Sequence, residues 1–176
     1  MNIDQIKTAL RTWVVDNTAL AESNVVFANQ NAPRPSRPYI TIFVTTTPLS
    51  EHANVGAPDD DGDAVIENET AVMASIQCFG DTAYGVLEGL RGSLEKVTVQ
   101  QALRAAGLPY IRTLSGVADL TETVGTQFEG RAGMDLEFRA VATVTDNVGV
   151  IESVEGTGIH ETGTNTNYEN DYQIGA

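Results

Sequence analysis

The strongest strand signal in the chain is YITIFVTTT, Tyr39 to Thr47, where every residue is β-branched or aromatic. Alternation puts Ile40, Ile42 and Val44 on one face, and Tyr39, Thr41, Phe43 and Thr45 on the other. A run apolar on both faces predicts an interior, central strand. The stretch before it cannot join regular structure, because Pro33, Pro35 and Pro38 each remove a backbone donor and bias the preceding residue towards extended geometry. A stiff Pro/Arg lead-in therefore delivers the chain into the sheet.

Helical spacing appears first at Ile3 to Val15, where Ile3, Ile6, Leu10, Trp13 and Val14 form one apolar stripe. Asn2 is the expected N-cap, with Asp4 and Gln5 in the first turn. Trp13 lies within the stripe and is predicted to anchor the core rather than a ligand. Asp16-Asn17-Thr18 breaks the helix, and Val25 to Phe27 predicts a short strand. Pro48 to Asn68 is expected to be a long loop, carrying Gly56, Pro58, Gly62 and the run DDDGD. Glu69 to Phe79 returns as a strand, with Val72, Ala74, Ile76 and Cys78 sharing a face. A helix over Thr82–Lys96, capped by Asp81 or Thr82, carries Ala83, Val86, Leu87, Leu90 and Leu94, with Val97 extending the stripe. A shorter helix follows Thr98, with Val99, Ala102, Leu103 and Ala106 as its apolar positions, and ends at Gly107 and Pro109. Tyr110 to Leu120 predicts a short strand and turn. Ala132 to Val144 gives the cleanest alternation, with Met134, Leu136, Phe138, Ala140, Ala142 and Val144 on one side.

Helices and strands do not alternate along the chain, so the class is α+β: a single domain with a mostly antiparallel sheet and helices packed on one face. The sheet is expected to contain Tyr39–Thr46, Ala71–Phe79 and Met134–Val144. Residues 1–155 form the domain. Residues 156–176, rich in Gly, Thr and Asn, form an extended C-terminal arm too poor in aliphatics to order alone.

Charge divides the chain in the same way. The formal net charge is −14, yet Glu51 to Glu69 and Asp146 to Ala176 hold 13 of the 24 acidic residues and no lysine or arginine. The remaining acids nearly balance the basic residues. Clustered Lys/Arg for phosphate neutralisation is lacking, which argues against specific DNA binding. An acidic surface past which DNA slides without adhering suits these numbers. The chain has no apolar run near the ~18 residues of a membrane span, and MNIDQIKTALRTW lacks the layout of an export signal. Cys78 is the only cysteine and falls within a strand pattern, as a buried small hydrophobe.

Candidate chemistry is sparse. Aligned on Gly62, Asp59 and Asp61 fit a helix-loop-helix calcium pattern, but position 57 is Ala and the last ligand position is Asn68. A solvated acidic loop is the expectation, and no metal or cofactor is called. His52 and His160, the only histidines, both fall in the acidic segments. No GxSxG, Walker or GxGxxG motif stands after a strand, so no catalytic residue is called.

The layout resembles the neck or tail-terminator proteins of tailed bacteriophages. Trp13 near the end of a first helix, a short strand about ten residues on, APRPSRPY running into ITIFVTT, a long loop, AVMASIQCFG, a Leu-rich helix and MDLEFRAVATV before VGVIESVEG carry that resemblance, over Met1 to Glu155. It implies a non-enzymatic virion protein, assembled in the host cytoplasm, forming a homo-oligomeric ring of six copies at the head-proximal end of the tail. Such a ring stops the tail tube protein from polymerising and docks a head connector or stopper protein. Within that frame Arg34 and Arg37 are either salt links across a subunit boundary or exposed loop arginines. Ile159, Tyr168, Tyr172 and Ile174 are spaced as anchors of an arm on a neighbouring subunit. Asp59, Asp60, Asp61 and Asp63 would line the channel, face an axial partner, or decorate the outer rim. Two other readings remain: another head–tail connector or tail-completion protein, and an acidic module that mimics nucleic acid.

Overall fold

The computed structural model describes residues 1–29, 31, 33–124, 127–149, 153–162 and 166–175, the last two stretches by backbone alone. In chain order the elements are α1 (Ile3–Asp16), β1 (Val25–Phe27), β2 (Tyr39–Pro48), β3 (Asn54–Val55), β4 (Asp63–Phe79), α2 (Ala83–Ser93), α3 (Val97–Ala105), β5 (Tyr110–Asp119), β6 (Glu122–Val124), β7 (Gln127–Glu129), β8 (Arg131–Asn147), β9 (Ser153–Thr162) and β10 (Thr166–Gly175). The fold is α+β, and its main sheet runs β1-β2-β4-β8-β5, with β3 also paired to β4. β1 and β2 run parallel; β2–β4 and β5–β8 are antiparallel.

Asn2 closes α1 with a capping box: its side chain accepts from the Gln5 N–H at 2.9 Å, and the Gln5 side chain accepts from the Asn2 N–H at 2.8 Å. The predicted stripe of α1 is buried as Ile6, Leu10, Trp13 and Val14, whereas Ile3 is partly exposed, at 42 %. These pack with Ala83, Leu87, Leu90 and Leu94 of the α2 region and Leu103 of α3 in one core. The sheet contributes Ile40, Ile42, Val72, Ala74, Ile76, Cys78, Met134, Leu136, Phe138 and Ala140 to the same core. The helices thus cover one sheet face. Trp13 sits edge-on to Phe138 at 6.0 Å, and its indole N–H donates to Ser93 Oγ at 3.0 Å, so its polar tip is satisfied inside the core.

Several expectations are corrected. β2 is interior as expected, between β1 and β4, but the middle strand is β4, and Phe43 on the second face of β2 is exposed. Part of the expected loop is strand: β4 begins at Asp63 rather than Glu69, and β3 lies opposite it. Thr82 precedes α2 without a side-chain cap; Ala83 N–H bonds instead to the Gly80 carbonyl at 3.0 Å. The stripe of α2 stops at Leu94, because the chain turns there and Val97, which opens α3, is exposed. Ala102 and Ala106 lie exposed, leaving Leu103 as the buried residue of α3. Burial along β8 ends at Ala140, and Val144 is 57 % exposed.

The chain divides into two compact units. The first, the body, is Met1–Asn54 with Glu67–Thr143; the second is Val55–Ile66 with Val144–Ala176. Within the second, β9 and β10 pair antiparallel from Ser153↔Gly175 to Thr162↔Thr166.

Candidate functional site

The Pro/Arg lead-in is tied to the body at a place where two backbones nearly touch. Gly80 N–H donates to the Gly130 carbonyl at 2.8 Å, and a Cβ on Gly130 would lie 2.7 Å from the Gly80 carbonyl oxygen. Only glycine at 130 permits that approach. It holds Glu129 beside the lead-in, where its carboxylate meets Arg34 Nη1 at 3.4 Å and also pairs with Arg37. Asn24 fastens the same segment from the other side, its side-chain amide donating to the Ser36 and Pro38 carbonyls at 3.0 and 2.8 Å. The Arg37–Pro38 peptide is cis.

Beneath the arginines lies an aromatic pair. Tyr39 and Phe79 face each other in the β2–β4 register and stack at 4.7 Å, nearly parallel at 7°. The Arg34 guanidinium lies 5.5 Å from the Phe79 ring centre, and that of Arg131 lies 5.2 Å from it. Arg131 also donates to Gln77 Oε1 at 2.7 Å. Burial raises the Tyr39 phenol above its ordinary value; Arg34 opposes that shift and Glu129 reinforces it. The group holds the lead-in rigidly and still presents Arg34 and Arg37 to solvent, at 60 % and 46 % side-chain exposure. Neither reading of the arginines from the sequence named a carboxylate partner within the same chain. Glu129 was not legible, since nothing in FEGR marks its carboxylate; the nearby Gly130 was the available clue.

The acidic run forms a closed turn. Asp59 Oδ1 accepts from the N–H groups of Asp61 and Asp63 at 3.0 and 2.9 Å, and Gly62, at φ +82°, donates to the Asp59 carbonyl at 3.0 Å. Asn147 holds the turn from outside. Its amide donates to the Asp61 carbonyl at 3.0 Å and to Asp63 Oδ1 at 2.8 Å, while Val148 N–H reaches the Gly62 carbonyl at 2.9 Å. Asp59 is therefore engaged with backbone donors, and Asp60 is exposed. Among the described residues, no three His, Cys, Asp or Glu side chains gather closely enough to hold a metal ion. The remaining candidates, Ile159 in β9 and Tyr168, Tyr172 and Ile174 in β10, fall in register opposite Glu169, His160, Gly156 and Val154.

A groove of about 1150 Å³ lies between α1 and α3, lined by small residues such as Ala9, Ala102 and Ala106. Asp4, Asp16 and Arg139 also border it. The described residues thus comprise a packed body, a clamped Pro/Arg segment and a hydrogen-bonded acidic turn. Residues 4–164 match the family described as phage neck terminator protein, and the chain belongs to that family. The family is one of structural proteins rather than enzymes, and it places the chain in the neck of the virion, in contact with other tail or head proteins. No curated protein matches the sequence.

Proposed function

We propose that this neck terminator works as a closed ring of six copies, which ends the tail tube on one side and receives the head connector or stopper protein on the other. The observation that carries this reading is the family match across residues 4–164. The distribution of charge supports it: all lysines and arginines lie in the body, and the second unit carries acids alone. Ring closure requires a heterologous contact, in which one surface of each copy meets a different surface of the next. Arg34 and Arg37 suit such a contact, because Glu129 pre-orients them while a large part of each side chain remains exposed.

The C-terminal segment, residues 156–176 together with the start of β9, acts as an arm that becomes ordered on a neighbouring copy, with Ile159, Tyr168, Tyr172 and Ile174 as its anchors. Asp59, Asp60, Asp61 and Asp63 face the channel or an axial partner. There the repeated carboxylates keep passing DNA from adhering, over a range of about 8 Å at physiological salt. Size-exclusion chromatography with light scattering tests the ring: a six-fold mass, or that mass on adding tube protein, is expected. A strict monomer under both conditions overturns it. For the acidic turn, changing all four aspartates to Asn should slow or reduce DNA ejection from fully assembled particles, most clearly at low salt. Unchanged ejection would assign the turn to the rim.

A further inference from the structure

The two edges of the main sheet are built differently. On one side β5 is the outer strand, and its pairing with β8 shifts register at Tyr110/Arg112, Thr113/Ser115 and Ser115/Ala118. It also carries charges at Arg112 and Asp119. Bulges and charges are how proteins keep a strand edge from recruiting another strand.

The other side lacks those devices. β1 is only three residues long and covers β2 at Ile40, Thr41 and Ile42 alone. Ala28 N–H still reaches the Ile42 carbonyl at 2.9 Å, after which Asn29 takes φ +66° and the strand has ended. Beyond Ile42, β2 continues through Phe43, Val44, Thr45, Thr46 and Thr47 to Pro48. That stretch has no charge, no glycine and no shift in its register with β4.

Backbone direction along β2 follows from two bonds. The Ile42 carbonyl faces β1, so the even-numbered residues present their N–H and C=O away from β4. Leu49 N–H bonds to the Glu69 carbonyl at 3.0 Å, so the odd-numbered residues face β4. Val44 and Thr46 therefore aim their backbone donors and acceptors outward, and among the described residues no strand pairs with them.

The second unit has the complementary need. β9 and β10 form a sheet of two strands, ten residues each. A two-stranded hairpin is marginal in water and gains independent stability from a third strand. We infer that the edge of β2 from Phe43 to Thr47 accepts a strand of the β9–β10 hairpin from a second copy of this chain, extending the sheet across the subunit boundary. The inference rests on the ring reading for bringing copies into repeated heterologous contact. The uncharged edge sets no carboxylate against the acidic hairpin, and each hairpin strand is long enough to span it.

Hydrogen exchange on the full chain tests this, comparing dilute monomer with the assembled oligomer. Assembly should slow the amides of Val44 and Thr46 together with those of residues 153–175. Thr46→Pro removes an outward N–H that the β4 ladder does not use, at an exposed position. It should abolish the protection of residues 153–175 while the exchange of Ile76 and Leu136 stays slow. Thr46→Lys, which retains the N–H and adds an edge charge, should weaken the same protection if the proline variant misfolds. An oligomer in which Val44 and Thr46 exchange freely overturns strand addition and leaves the ring standing. Protection already complete in the monomer, or gained only with tube protein, overturns the second copy as donor. A chain that never oligomerises overturns both readings.

Discussion

The body and the second unit solve the problem of order in opposite ways. The body is a helix-backed sheet whose stability comes from apolar burial, and it holds every lysine and arginine in the chain. The second unit is acid-only; its described contacts are backbone ladders and the side-chain bonds around Asp59–Asp63. β4 and β8 supply residues to both, so a single strand passes from one regime to the other. Secondary structure alone does not mark a cooperative unit. What marks it is where the side chains of a strand find an apolar layer to enter.

Mutations should separate the two regimes. Leu90→Ala deletes a fully buried side chain at the centre of the body and should cost about 2–5 kcal/mol in global unfolding. A change below about 1 kcal/mol would mean that α2 is not part of the cooperative core. The next effect is alkaline. Burial pushes the Cys78 thiol up to about 11, whereas in the unfolded chain it titrates near ~8.5. The folded state therefore keeps a proton that the unfolded state has already lost. Cys78 leaves stability unchanged below pH ~8.5 and lowers it as pH rises towards 11, by about 2–3 kcal/mol. Denaturant melts of wild type and Cys78→Ala at pH 7 and pH 10.5 should show a smaller decline in the variant; equal declines would contradict the burial argument.

Glu129→Gln should cost about 1 kcal/mol, since both arginines are partly solvated already and recover water when released. The sharper readout is faster exchange of the Gly80 amide, which bonds to the Gly130 carbonyl next to Glu129. Asn147→Ala should have the smallest global effect, below about 1 kcal/mol. Exchange around Asp61 and Asp63 should accelerate without any change in the melting of the body. A matching loss of body stability would show that the two units unfold as one.

Periodicity made the body readable. The α1 stripe, the capping box at Asn2, the alternation of β8 and the burial of Leu90 all follow from local pattern, because each element meets one large apolar layer. Where the pattern failed, a specific physical reason is visible. Phe43 was expected inside because the run around it is apolar on both faces, but only the helix-covered face is buried there. The extension of β4 to Asp63 was hidden because Asp, Glu and Asn are poor strand formers, and pairing with β3 overrides their preference. Of the candidate residues, Arg34, Arg37 and Asp59–Asp63 were legible as unusual composition. Their partners Glu129 and Asn147 were not, since each meets its site across more than eighty residues of sequence.

Trp13 has an optical consequence. It is the only tryptophan, it is buried in the body, and its indole donates to Ser93 Oγ. Tyr168 and Tyr172 belong to the hairpin, while Tyr39, Tyr84 and Tyr110 belong to the body. Emission excited at the red edge of the indole band therefore reports on the body alone. A tyrosine-to-tryptophan change at 168 or 172, in a Trp13→Phe background, would move that reporter to the hairpin. Two otherwise similar proteins would then give separate luminescent records of folding and of assembly.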